Sequence, residues 1–283
     1  MAESVTAGRY GGGVAARRPK EHAMAEINAA VPNTPVWMDV ASPDLDATVA
    51  FYCALFGWEA RRSPDPAAGG HTEFTLRGRR VAGAGPDFYG QPNVWTTYLG
   101  VSDADEAVRR ARAAGGKTLV EPMDVLDAGR LAVLTDPVGA PIGLWQPRAN
   151  SGVELLDEPG AMCWNELAAR DDAAARAFYQ DVFGWAADTQ SWGDDVTYTR
   201  WSLDGRLVAG LMRMNDAWPA EIPSHWMVYL AVDDTDACAE KILSLGGSVP
   251  VPPTDIPPGR FAVVNDPLGA HFSIIKPNVP LRG

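Results

Sequence analysis

Phe51-Tyr52-Cys53-Ala54-Leu55-Phe56-Gly57-Trp58 returns later in the chain as Phe178-Tyr179-Gln180-Asp181-Val182-Phe183-Gly184-Trp185, 127 residues on. The same offset carries Pro32 to Pro159, Trp37 to Trp164, Asp39 to Glu166, and the run Gly78 to Gly83 onto Gly205 to Gly210. Further on, Tyr98-Leu99 matches Tyr229-Leu230, Gly115-Gly116 matches Gly246-Gly247, and Gly129-Arg130 matches Gly259-Arg260. Asp136-Pro137-Val138-Gly139-Ala140 matches Asp266-Pro267-Leu268-Gly269-Ala270. Chance does not keep this order over so long a span. The protein is an internal duplication, and its architecture follows from the repeat.

Within each copy the pattern is the same. Val36 to Val40 has the β-branched and aromatic content of a strand. Ser42-Pro43-Asp44 carries helix-start residues, with Ser42 the expected cap. Leu45, Val49, Tyr52, Cys53 and Phe56 then recur at helical spacing until Gly57. In the second copy Asp171-Asp172 opens the matching helix and Gly184 closes it. A loop over Ser63 to Gly70 leads to a hairpin turning at Gly78, matched by one turning at Asp204-Gly205. The next unit reads strand Val94 to Val101, then helix Asp103 to Ala114 with Ala104, Val108, Ala111 and Arg112 in register. Three short strands separated by turns complete it. Each copy is βαβββ said twice, an α+β pattern.

At 283 residues the chain is long enough for one or two domains. The expected division is a disordered tail over 1–31, modules over 32–148 and 159–279, and a polar linker over 149–158. Gly11-Gly12-Gly13 and Ala15 to Lys20 mark the tail, and Met24 is an alternative start within it. The formal net charge of −12 argues against nucleic acid and anionic membrane as partners, since both require a concentrated basic face. No apolar run approaches the roughly 18 residues of a membrane span. Cys53, Cys163 and Cys238 form no spacing motif, and an odd count fits a reducing cytoplasm. They are expected as small core residues. No phosphate loop, nucleophile elbow, dinucleotide fingerprint or zinc spacing occurs, and no cofactor is called for.

Four motifs recur in order: Ala50-Phe51-Tyr52 with Phe56-Gly57-Trp58, Val101-Ser102-Asp103-Ala104-Asp105, Gly115-Gly116, and Asp136-Pro137-Val138-Gly139. Together they resemble the vicinal-oxygen-chelate superfamily, which holds the glyoxalase, bleomycin-resistance and extradiol-dioxygenase folds. The resemblance runs from about Asn33 to Pro277. It looks closest to two-module actinobacterial proteins, some of them from natural-product pathways. It implies tandem βαβββ units in two modules, with curled mixed sheets enclosing cavities.

Metal-using members hold one divalent ion with His, Gln or Glu from three strand positions. Carried over residue by residue, these fall on Trp37, Thr96 and Gly143 in the first module, and on Trp164, Met227 and Ser273 in the second. None is a competent ligand for a hard or borderline ion, which wants carboxylate or imidazole. The expectation is no metal. Glu166, His225 and His271 are the alternative ligand set, because each shares a strand face with one of those seats. His22 and His71 lie in tail and loop and are passed over.

The inward positions read Trp37, Asp39, Thr96, Tyr98, Trp145, Trp164, Glu166, Met227, Tyr229, His271 and Ile275, and His225, two residues before Met227, is a further ligand-binding candidate. Such a lining suits a flat aromatic or polyketide-like ligand. Large aromatics at alternating strand positions also make ordinary core, and that alternative stands beside the pocket. Trp192, Trp201 and Trp218 are candidates to cover it from loops. Phe51, Tyr52, Phe178 and Tyr179 belong to the core. Asp39 and Glu166 are the candidate catalytic groups, since a carboxylate among tryptophans is desolvated and becomes a usable acid or base. They are otherwise structural carboxylates, held by backbone donors or by Arg130 and Arg260. The expected function is a metal-independent tailoring enzyme using acid–base chemistry, or a non-catalytic binder for sequestration or as accessory to a biosynthetic enzyme. A metal-dependent glyoxalase or dioxygenase is disfavoured. Two modules in one chain mimic the dimer of a one-module relative, so monomer or homodimer is expected.

Overall fold

The computed structural model describes residues 31–87, 93–191 and 197–282. Residues 1–30 of the expected tail, residues 88–92, and Trp192 lie outside them. The first module runs β1 (Pro35–Ala41), α1 (Leu45–Phe56), β2 (Glu59–Arg62), β3 (Thr72–Leu76), β4 (Arg79–Gly85), β5 (Val94–Gly100), α2 (Ala104–Ala113), β6 (Lys117–Val125), β7 (Gly129–Thr135) and β8 (Pro141–Pro147). The second repeats it: β9 (Met162–Ala169), α3 (Asp172–Phe183), β10 (Ala186–Ser191), β11 (Thr197–Leu203), β12 (Arg206–Arg213), β13 (His225–Ala231), α4 (Thr235–Ser244), β14 (Ser248–Ile256), β15 (Gly259–Asn265) and β16 (His271–Pro277).

Each module is one eight-stranded mixed sheet. The orders are β2-β3-β4-β1-β5-β8-β7-β6 and β10-β11-β12-β9-β13-β16-β15-β14. The two βαβββ units of a module join through their first strands, β1 antiparallel to β5 and β9 antiparallel to β13. Neither sheet closes into a barrel.

The helices end as their sequences dictate. Gly57 and Gly184 adopt the left-handed conformation that stops α1 and α3. The start of α1 departs from expectation. Asp44, not Ser42, is the cap and accepts the Ala47 amide, while Ser42 Oγ bonds Thr48 and receives the Asp44 amide. On α2, Arg112 points outward and Ala107 completes the buried stripe with Ala104, Val108 and Ala111. β2 and β10 are exposed along their whole length, so no alternation marks them in the sequence. Trp201 lies on β11 and is completely buried, so it is core and not a loop cover.

The segment between the modules is tied down. Val153 donates to Val36 O and Glu154 to Arg80 O, with Val153 and Leu155 buried. Gly152 is required there: its φ is 107°, and a Cβ would stand 2.3 Å from Val36 O.

The modules interlock through reciprocal clasps. Tyr52 on α1 donates to Asp266 Oδ2 (3.2 Å) and accepts from Trp95 Nε1 (2.8 Å). Tyr179 on α3 donates to Asp136 Oδ2 (3.1 Å) and accepts from Trp226 Nε1 (2.8 Å). The Asp-Pro-x-Gly turns thus do more than turn the chain. Each aspartate caps its own turn with Oδ1 and meets the other module's helix with Oδ2. Asn165 Nδ2 donates to Thr97 Oγ1 (3.0 Å), joining the two central strand pairs. One core cluster combines α1 residues with Phe272 and Ile274, and another combines α2 residues with Phe178 and Leu211.

Candidate functional site

The pleat divides each sheet into two faces. On one, Met38, Val40, Thr97, Leu99, Val228 and Leu230 are fully buried between the modules. On the other, Trp37, Thr96, Tyr98, Trp164, Met227 and Tyr229 each keep between 3% and 9% exposure. The half-buried Asp39 and Glu166 lie on this second face, so solvent reaches it at the two carboxyls.

Register brings the expected residues together. In the first module Asp39 is opposite Thr96, Trp37 opposite Tyr98, and Tyr98 beside Gly143. In the second Glu166 is opposite Met227, Trp164 opposite Tyr229, and Tyr229 beside Ser273. Trp145 shares the face but is committed at its edge, its ring against Gly129 and its Nε1 donating to Asn150 O (2.8 Å).

His71 joins Asp39. The sequence pattern places this histidine in a loop, yet His71 Nε2 lies 2.8 Å from Asp39 Oδ2. The pair sits over Gly83, where a Cβ would be 2.4 Å from Asp39 Oδ2, 2.8 Å from His71 Nε2 and 3.0 Å from Trp37 Cζ2. Burial alone would lower the His71 pKa. The hydrogen bond to Asp39 and the charges of Asp39 and Glu73 outweigh it, and the net direction is up. The offset of the repeat could have found this residue, because it aligns His71 with Tyr198.

The second module answers with phenols. Tyr229 donates to Glu166 Oε1 (3.0 Å), Tyr198 hydrogen-bonds the same carboxyl, and Trp164 Nε1 donates to Tyr198 (2.9 Å). Burial raises the Glu166 pKa against the lowering effect of the two tyrosines. The floor is Gly210, where a Cβ would stand 2.0 Å from the Tyr198 hydroxyl. We expect Gly210→Ala to cost about 1–3 kcal/mol by overpacking and to displace Tyr198 from Glu166. Urea unfolding with near-ultraviolet circular dichroism checks this, and unchanged values for both would refute it.

Neither carboxylate meets an arginine of the repeated Gly-Arg pair, which corrects one expectation. Arg130 bonds Asp105 and Asp124, and Arg260 bonds Asp236 and Asp255, all on the surface. His225 and His271 form an edge-to-face pair with ring centroids 5.5 Å apart at one end of the aromatic face. His225 Nδ1 bonds Pro223 O, and Trp218 packs beside it. Burial lowers both pKa values, that of His271 to about 4. Glu166 does not converge with them: among the described residues no group of three His, Cys, Asp or Glu could hold a metal ion.

The ancestral metal seats do not fit a divalent ion either. A cation there would meet indole and hydroxyl in the first module, where the Tyr98 ring covers Gly143. In the second it would meet indole, thioether and hydroxyl. A cleft of about 360 Å³ lies away from both faces, where the end of α1 meets α4. Its Lys241 ammonium is occupied by Leu55 O (2.9 Å). Among the described residues no helix is long and apolar enough to cross a membrane.

Comparison with known proteins agrees with the topology. A sequence profile of the Glyoxalase/Bleomycin resistance protein/Dioxygenase superfamily matches residues 34–144 and again 162–274. The chain is 39% identical over 261 residues to "Anthracycline biosynthesis protein DauV" of Streptomyces sp. (strain C5), covering 87% of this chain and 94% of that protein. It is 40% identical over 261 residues to "Anthracycline biosynthesis protein DnrV" of Streptomyces peucetius, with the same coverage. Among solved structures, the Mn(II)-bound glyoxalase of Novosphingobium aromaticivorans superposes with a TM-score of 0.60 at 17% identity, covering 88% of this chain and 85% of that one. With two profile matches, two βαβββ-paired sheets and relatives at this identity, the chain belongs to the Glyoxalase/Bleomycin resistance protein/Dioxygenase (vicinal-oxygen-chelate) superfamily.

Proposed function

We propose that this chain is a metal-independent tailoring enzyme of natural-product biosynthesis that binds a flat, polycyclic, polyketide-like aromatic molecule. It moves a proton in an isomerisation, hydration or cyclisation. The observation that carries this is the pairing, in each module, of an ionisable carboxyl with tryptophan and tyrosine on the sheet face that keeps contact with solvent. Aromatic walls stack on flat ligands, and a carboxyl or its imidazole partner beside them can take and return a proton. The names of the two Streptomyces relatives support the ligand class. The unsuitable donor set at the ancestral seats supports metal independence. The three free cysteines fit a reducing cytoplasm, where the chain acts as a monomer or homodimer.

A second function is favoured by one feature. The Glu166 carboxyl is engaged by Tyr198 and Tyr229, which suits the second module to holding a ligand without converting it. A protein with both modules so used would sequester a product or present it to another biosynthetic enzyme.

Tryptophan fluorescence tests the ligand class. Titration with 2-hydroxyanthraquinone, a flat tricyclic phenol, should quench saturably, and Trp37→Phe and Trp164→Phe should assign the quenching to a module. No saturable quenching across a panel of polycyclic phenols and quinones would sink both functions. Metal analysis of protein purified without an affinity tag should find no stoichiometric ion; iron, manganese, nickel or zinc at one equivalent would overturn the metal-free mechanism.

A further inference from the structure

The duplication makes each module the control for the other. At the offset of 127 residues, Asp39 matches Glu166, His71 matches Tyr198, Glu73 matches Arg200 and Gly83 matches Gly210. The backbones beneath these groups are equivalent: Gly83 is flanked by Asp39 and Glu73, and Gly210 by Glu166 and Arg200. The chemistry above them has diverged. The second module caps its carboxyl with two phenols, and its tryptophan N–H is spent on one of them. In the first module the Trp37 N–H has no hydrogen-bond partner among the described residues, and the carboxylate meets an imidazole. The side chains of His71 and Asp39 are 37% and 17% exposed, so water reaches the pair.

We propose that proton transfer is confined to the first module, with His71 as the catalytic residue and Asp39 as its positioning carboxylate, while the second module only holds ligand. This rests on the aromatic faces being the ligand-binding surface. An ionised Asp39 accepts from Nε2–H of His71, which leaves the lone pair of the neutral ring on Nδ1. Nδ1 has no hydrogen-bond partner among the described residues. A ligand stacked on Trp37 gives a proton from a C–H beside a carbonyl, or from an O–H, to Nδ1. The electron pair of the broken bond stays on the ligand as enolate or phenolate. The imidazolium faces Asp39 from β1 and Glu73 from β3, the charges that act on it. It then returns the proton to a different atom of the ligand, so atoms and electrons balance with no further reactant. In the second module the equivalent phenol has its pKa raised by burial and by the Glu166 charge, so it is a poor proton acceptor or donor near neutral pH.

The test uses 2-hydroxyanthraquinone, whose phenolate absorbs at longer wavelength than its neutral form. Bound to the wild-type chain, a fraction of the dye should ionise at least tenfold more readily than free dye. His71→Gln should keep quenching within about threefold of wild type and abolish that ionisation. Quenching with ionisation unchanged in His71→Gln overturns the role of His71 and leaves the binding surface standing. No quenching by the wild type removes the binding surface, and this proposal with it. Independently of any ligand, the His71 Cε1–H proton resonance should titrate in the free protein, and Asp39→Asn should lower its midpoint. An unmoved midpoint overturns the positioning role of Asp39.

Discussion

Tyr52→Phe should lower the unfolding free energy by about 2 kcal/mol, and the Tyr52→Phe, Tyr179→Phe double variant by about 4 kcal/mol. The ring stays, so the stacking of Tyr52 on Trp58 and of Tyr179 on Trp185 is kept. What goes is one hydroxyl that serves two buried partners. Its loss strands the Trp95 indole N–H and the Asp266 Oδ2 at one clasp, and the Trp226 N–H and Asp136 Oδ2 at the other. An orphaned buried polar group costs about 1–3 kcal/mol, against almost nothing for the removed oxygen itself. The clasps lie on different turns and helices, so their costs should add. Urea unfolding checks this through the midpoint. The slope should not change, because the core clusters run through both modules and bind them into one cooperative unit. Two separate transitions in the wild type, or midpoints that do not move, would refute the clasp as an inter-module bond.

Acidification from pH 7 to pH 4 should favour the wild type over Asp136→Asn by up to roughly 3 kcal/mol. Burial raises the Asp136 pKa from 3.8 to about 6, partly opposed by the amides of Ala140, Val138 and Gly139 and by Tyr179. Between those two values the folded chain holds a proton that the unfolded chain has released. Its stability therefore rises as pH falls through about 6 and levels off near 3.8. The asparagine imitates the neutral acid at every pH and has no such dependence. His71, also raised, contributes in the same direction: its stabilisation is present below its unfolded pKa and fades as pH climbs through the folded one. His225 and His271 are lowered and oppose it, since folding is weakened as acid protonates them. The wild-type curve alone is thus a mixture, and the difference from Asp136→Asn isolates the aspartate. A difference that is flat with pH, or that grows toward alkali, would refute the raised pKa.

The elements that sequence revealed are those with local signatures. Gly57 and Gly184 stop helices because only a residue without Cβ adopts their left-handed backbone at no cost. The stripes of α1 and α3 repeat because the same helix face is buried twice. β2 and β10 left no such trace, since neither face of either strand is covered. Trp201 reads as a loop residue only until β11 is paired with β12 and turned into the core. Asp39 and Glu166 were legible as carboxyls on an aromatic face, but their partners were not. Arg130 and Arg260 are duplicated as they are, yet they point to surface acids, and the true partners are His71, Tyr198 and Tyr229.

Sequence by itself determined that this chain is a duplicated βαβββ pair and which family it belongs to. Periodicity, turn residues and a repeat offset are properties of neighbours along the chain, so they survive without coordinates. Only the tertiary structure decided that Tyr52 reaches Asp266 across the modules, that His71 bonds Asp39, and that two tyrosines close over Glu166. Those contacts depend on strand register and on how one sheet packs against another, and no spacing along the chain encodes a distance across it.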